Sequence, residues 1–142
     1  MGASVTPGML APSLTALRLS LHVLAATVWV GGQIVMVGLL PTARNLGGQA
    51  PRSLAAAFAR LSWPAFGVLV LTGFWNIAAV HPSQRTTAWQ AVFGVKMAVV
   101  VLAGASAFVH GRATTRRGLA VWGSLAGLSS VGALCLGVLL AG

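Results

Sequence analysis

The sequence contains no aspartate and no glutamate among its 142 residues, so it has no side-chain carboxylate. This absence excludes the paired carboxylates of glycoside hydrolysis, a serine triad completed by an acid, and the oxygen-lined cages that bind Ca²⁺ or Mg²⁺. The single cysteine excludes a disulfide within the chain. The positively charged side chains therefore have no side chain of opposite charge in their own chain with which to pair.

The residues that are present point to a membrane protein. Hydrophobic residues make up 57% of the chain and charged residues only 6%, and long apolar runs separate the charges. The net charge of +9 does not indicate nucleic-acid binding, because the cations lie mainly in loops beside apolar runs rather than on one solvated face. The predicted surroundings of the chain are therefore a lipid bilayer.

Four apolar runs are each close to the ~20 residues that an α-helix needs to cross a ~30 Å hydrocarbon core. They cover about residues 18–40, 61–80, 88–110 and 119–141. The runs are continuously apolar rather than alternating, which favours helices over a membrane barrel. We expect the first run to stop at Pro41 and the second helix to begin earlier, with Ser53 as its N-cap. The prediction is an all-α, integral membrane four-helix bundle in which residues 1–142 form a single membrane domain.

The positions of the arginines predict the orientation of this bundle. The two loops that follow spans one and three are rich in arginine: Arg44, Arg52 and Arg60 in the first, and Arg112, Arg116 and Arg117 in the second. The opposite side has only Arg18 and Arg85. Because basic loops stay in the cytoplasm, both termini are predicted to lie outside.

Several polar residues fall at similar depth once directions are assigned. At ~1.5 Å of helix rise per residue, five of them belong to the outer half of the membrane: His22, Thr72, Asn76, Lys96 and Cys135. Polar faces of membrane helices usually point into the bundle. We therefore expect a polar layer in the outer half, although depth alone does not show that its members meet.

Helical spacing also assigns a face to some of these residues. His22, Trp29, Gln33 and Met36 are separated by seven, four and three residues and share one face of the first helix. His110, by contrast, ends the third span at the cytoplasmic edge, ~20 Å from the level of Lys96. It is not expected to join His22 in one small site.

Lys96 is the most unusual of these residues, because a cation at membrane depth costs about 2.5 to 3.5 kcal/mol on insertion scales. No carboxylate of its own chain can offset that cost. A polar pocket, a lipid phosphate, an acidic partner subunit or a bound anionic cofactor would meet the charge. The alternative is a lysine whose stem lies in the membrane while its amine reaches the outer interface.

Short sequence blocks resemble a known family. Residues 21–32 read LHVLAATVWVGG, residues 58–64 FARLSWP, residues 71–75 LTGFW and residues 94–97 GVKM, and His110 follows. Over about residues 16–112 this series resembles the copper-resistance D (CopD) family of membrane proteins. The early histidine, the Trp-x-Gly pattern and the Val-Lys pair are also similar to HemJ-type membrane proteins.

The two resemblances imply different functions. CopD-like membership implies copper uptake, resistance or homeostasis in a bacterial cytoplasmic membrane, without catalysis. Similarity to HemJ implies haem b binding and an oxidoreductase activity. A third reading is a structural subunit of a membrane complex, with an acidic partner helix facing Lys96. Gly123 and Gly127 form a GxxxG motif in the fourth span that would support a homodimer or tight packing within one chain.

His22 is the leading candidate ligand, because imidazole nitrogen binds copper and haem iron. The alternative role for His22 is helix packing. Weaker copper donors are His81, Met97 and Cys135, residue types that also occur as loop or packing residues. In the haem reading, Lys96 would pair with a haem propionate beside His22. Thr72 and Asn76 complete the predicted polar layer.

Overall fold

The computed structural model describes residues 13–142 and contains four long helices. They are α1 (Leu14–Leu46), α2 (Ala50–Val80), α3 (Thr87–His110) and α4 (Arg116–Ala141), with a short 3₁₀ turn at Pro82–Gln84. All four are long and apolar enough to cross a membrane, and residues 13–142 form no strand. The predicted all-α, four-helix membrane fold is confirmed. The prediction for the N-terminus concerns residues before Ser13, which lie outside the described range.

Three of the helices begin at a hydroxyl residue. The side-chain oxygens of Ser13, Thr86 and Thr115 each accept a hydrogen bond from a backbone N–H in the first turn of the helix that follows. Each bond satisfies an amide that has no partner within the helix. These caps fix where α1, α3 and α4 start.

The start of α2 corrects one prediction. The helix begins at Ala50, and Ser53 lies inside it with its N–H donated to the carbonyl of Gln49 at 2.9 Å. Pro51 explains the earlier start, because a proline in the first helical turn loses no intrahelical hydrogen bond and already has a helical φ. Ser53 is therefore not the N-cap.

The end of α1 corrects a second prediction. The helix does not stop at Pro41 but continues through it to Leu46, and Gly47, with φ of 70°, follows. Proline removes one backbone hydrogen bond from a helix interior. Ala43, just beyond the proline, is buried by packing, which stabilises the continued helix against this loss. The other three predicted spans lie inside the observed helices.

The helices pack as two antiparallel hairpins, α1 with α2 and α3 with α4. Their contact surfaces are built largely from small residues, among them Ala103, Ala126 and Ser106, which are buried. Many leucines, valines and phenylalanines are instead exposed on the outside of the bundle. This distribution suits a protein in lipid, where small residues let helices approach closely and large apolar ones face the acyl chains.

A π turn at Thr27–Gly31 interrupts α1. Trp29 at its centre is buried, and its ring lies 4.5 Å from that of Phe66 and 5.8 Å from that of Trp63, centroid to centroid. The turn contacts both α2 and α4. It is therefore a point at which the two hairpins meet. It begins about one and a half helical turns after His22 along α1.

Candidate functional site

His22 and Thr72 meet across the α1–α2 interface. Nδ1 of His22 lies 2.7 Å from Oγ1 of Thr72. The imidazole edge passes over Gly73, where an added Cβ would stand 3.9 Å from Cε1 of the ring. Two residues of the predicted polar layer, from different helices, are thus in direct contact.

The surroundings of Thr72 fix the tautomer of His22. The hydroxyl of Thr72 donates within its own helix, where the Val68 carbonyl lies at 2.7 Å and the Leu69 carbonyl at 3.2 Å. With its one proton used in this way, the hydroxyl oxygen accepts the second bond, so Nδ1 of His22 is the donor. Nε2 consequently keeps its lone pair and has no proton in the neutral ring.

Lys96 lies on α3 close to the same region. Its side chain is half-buried, and its Nζ lies 3.1 Å from where a Cβ at Gly137 of α4 would stand. Any side chain at position 137 would displace the amine, so this glycine makes room for it. Lys96 and His22 belong to the same predicted outer-half layer of the bundle.

Asn76 and Arg18 extend the polar layer by one helical turn. The Oδ1 atom of Asn76 is buried and has no hydrogen-bond partner among the described residues. Arg18 is only 8% exposed, and its Nε is likewise buried without a partner in residues 13–142. Sequence reasoning treated Arg18 only as a topology marker. The signal that would have revealed it is its spacing of four residues from His22, which puts both on the same face of α1.

The weaker copper donors differ in exposure. His81 is exposed in the loop after α2, where its φ of 50° ends the helix, and Cys135 is exposed on α4. Met97 is half-buried on α3. Within residues 13–142, no three His, Cys, Asp or Glu side chains form a metal-binding group.

His110 occupies the other end of the bundle. Its Nδ1 lies 3.0 Å from the Leu119 carbonyl, and an added Cβ at Gly123 would stand 2.9 Å from its ring. Gly123 of the GxxxG motif therefore accommodates an imidazole within the same chain. The presence of glycine at position 123 is therefore explained by packing within one chain, without a homodimer.

A second polar cluster lies below His22, at the π turn. Oγ of Ser130 on α4 accepts hydrogen bonds from Nε1 of Trp29 at 3.0 Å and from Nε2 of Gln33 at 3.1 Å. The predicted inward face of α1 included Trp29 and Gln33, but Ser130 was missed. The sequence feature that could have indicated Ser130 is the pair of serines at positions 129 and 130 inside an apolar span, because small polar residues are common at helix contacts in membranes.

Ser130→Ala is expected to lower the free energy of unfolding by about 0.6 to 1.7 kcal/mol, the range of interhelical hydrogen bonds in membranes. The variant leaves both Trp29 and Gln33 without their acceptor. Thermal or denaturant unfolding in detergent measures the loss, with Ser124→Ala, an exposed serine of the same helix, as the control. Equal stability of the two variants would contradict a structural role for this cluster.

Two surface cavities accompany the bundle. One, of about 460 Å³, lies between α2 and α3 and is lined by Trp63, Phe108 and Arg112 among others. The other, of about 430 Å³, lies along α1 between Leu19 and Thr27. Neither of these two cavities is lined by His22 or Lys96.

No family model, curated protein or solved structure matches this chain. The CopD-like and HemJ-like resemblances therefore rest on the sequence blocks quoted above, and they stay predictions.

Proposed function

We propose that this multi-pass membrane protein binds a metal centre through Nε2 of His22. The observation that supports the proposal is the bond between Nδ1 of His22 and Thr72, whose own proton is held by Val68. Metal-binding histidines commonly donate their second ring N–H to a fixed acceptor, which orients the ring and leaves the other nitrogen for the metal. His22 has this arrangement before any metal is bound.

A copper ion fits the donor set of one chain poorly. Copper sites in proteins use several nitrogen or sulfur ligands, whereas His81 and Cys135 are exposed and no three His, Cys, Asp or Glu side chains come together within residues 13–142. The nearby Lys96 and Arg18 also disfavour a bare cation. Copper handling of the CopD-like type remains the second candidate, supported by the sequence blocks, and it requires donors from a second copy or a copper-carrying partner.

Haem b fits the same residues better. The porphyrin supplies four nitrogen donors, so one histidine is enough to hold its iron. Haem also carries two propionates, and Lys96 belongs to the same predicted layer as His22 in a chain that has no side-chain carboxylate to neutralise it. Haem b binding of the HemJ-like type is therefore the function that the geometry supports best.

The roles of the chain's own residues follow from these contacts. His22 would ligate the iron through Nε2, Thr72 holds the imidazole in the required tautomer, and Lys96 would neutralise a propionate. When bound, haem b supplies a one-electron redox centre, the basis of an oxidoreductase activity.

The absorption spectrum and metal content of the protein purified from membranes test this proposal. We expect a Soret band and one iron per chain, both lost in His22→Ala because the residue that would hold the iron is removed. His110→Ala, which removes an imidazole at the opposite end of the bundle, is the control and should keep both signals.

Other outcomes separate the alternatives. Copper in place of iron, lost in His22→Ala but not in His110→Ala, would support the CopD-like function. Protein that binds neither haem nor copper after both are supplied would contradict a metal site at His22. Co-purification of a subunit with an acidic helix would then favour the structural role.

A further inference from the structure

Arg18 is a charged side chain in the bundle interior. Only 8% of its surface is exposed, and its Nε has no hydrogen-bond partner among the described residues. A buried charge is stable only when it is paired and hydrogen-bonded, and within a membrane such residues almost always have a partner. The sequence offers no aspartate or glutamate for this purpose. No side-chain carboxylate of this chain can therefore pair with Arg18, and an anion from outside the chain would supply the missing acceptor.

The register of the α1–α2 pair shows what faces Arg18. Thr72 contacts His22, and Phe66 contacts Trp29 farther along the two antiparallel helices. One turn back from His22 is Arg18, and one turn forward from Thr72 is Asn76. Arg18 and Asn76 therefore lie opposite each other in the next layer of the interface.

Asn76 contributes the complementary group. Its buried Oδ1 has no donor within residues 13–142, while Nε of Arg18 has no acceptor. A ligand that satisfies both atoms needs a negatively charged oxygen for the guanidinium and an O–H or N–H for the amide oxygen. A phosphate group with a hydroxyl of its own or on a short substituent has both features, and a simple carboxylate has only the first.

The depth of Arg18 also suits a phosphate. α1 has 33 residues and is thus ~50 Å long, so its ends extend beyond a ~30 Å hydrocarbon core. Arg18 lies four residues, ~6 Å, from the first residue of this helix. This places it near the headgroup layer of the predicted outer leaflet.

We propose that Arg18 and Asn76 form a binding site for a phosphate group that carries a hydroxyl donor. Arg18 donates to the anionic oxygen and Asn76 accepts from the hydroxyl. Two sources have this chemistry, the phosphoglycerol headgroup of phosphatidylglycerol and free hydrogen phosphate. The site is independent of the metal proposed at His22.

Thermal unfolding of the full chain in phosphatidylcholine nanodiscs tests the site, with phosphatidylglycerol or inorganic phosphate titrated in. Phosphatidylcholine has no hydroxyl or N–H donor in its headgroup, so it serves as the background. We expect one of the two additions to stabilise the protein, and Arg18→Gln to weaken the apparent affinity roughly 10- to 100-fold, as for loss of a charged hydrogen bond. Arg85→Gln removes an exposed cation of the same predicted side and should respond like the original protein.

Asn76→Asp gives a second, sharper variant in case Arg18→Gln does not fold. The new carboxylate would pair with Arg18 inside the chain, so the variant should unfold at a higher temperature without additive and lose its response to phosphatidylglycerol or phosphate. Stabilisation by the lipid alone assigns a lipid ligand, and stabilisation by the salt assigns free phosphate. A response unchanged in Arg18→Gln or Asn76→Asp, or no response to either addition, would overturn the site, whatever metal His22→Ala reveals.

Discussion

Thr72→Val is expected to weaken metal binding at His22 by about 10- to 100-fold, the usual effect of losing a residue that orients a metal ligand. Valine is similar to threonine in shape but cannot accept the Nδ1 proton. The imidazole is then free to rotate and to move its proton to Nε2, where it blocks the metal. Titration of haem or Cu(I) into the apo protein measures the change in affinity.

Thr72→Ser is the matched control for this prediction. Serine keeps the hydroxyl that accepts from His22 and donates to Val68, so affinity should stay close to that of the original protein. If Thr72 serves only to join α1 and α2, Thr72→Val would lower the unfolding temperature and leave affinity unchanged. That result would contradict the proposed role of the tautomer.

Gly104→Ala is expected to destabilise the bundle by about 1 to 3 kcal/mol, the usual cost of overpacking. A Cβ at position 104 would stand 2.7 Å from Cζ of Phe66. The phenyl ring cannot easily retreat, because Trp29 and Trp63 pack against it with centroids 4.5 and 6.0 Å away. The change would therefore disturb the contact between α2 and α3 and the aromatic cluster at the π turn.

Gly94→Ala provides the comparison within the same helix. An added Cβ at position 94 meets no atom within 4 Å, and alanine favours a helix over glycine by about 1 kcal/mol. This variant should be as stable as the original protein or more stable, by denaturant unfolding in detergent. Equal effects of the two substitutions would show that the close contact at Gly104 does not limit packing.

The fold was largely predictable because a bilayer imposes a strong constraint on sequence. Continuous apolar runs with arginines at their ends leave helices as the simplest way to satisfy the backbone. The errors lie at helix ends, where local chemistry competes with packing. Pro41 indicates a stop, but the helix continues because packing just beyond the proline stabilises it, and Ser53 resembles a cap although Pro51 lets α2 start earlier.

The polar layer was predictable only in depth and phase. The contact of His22 with Thr72 depends on how α1 and α2 rotate against each other, which no single helix specifies. The burial of Arg18 was missed because an arginine near a span end usually marks topology. Ser130 was missed for a different reason, since its role depends on a tryptophan and a glutamine from another hairpin.

The π turn at Thr27–Gly31 makes the length of α1 as important to the polar layer as its side chains. Each residue of an α-helix rotates the chain by about 100°. The second half of α1 is held in place by the hydrogen bond from Gln33 to Ser130. Deleting one apolar residue within the turn would therefore rotate the first half of α1 and move His22 away from Thr72. An insertion or deletion here thus acts on the imidazole as a point mutation would, and substitution scanning alone would never reveal it.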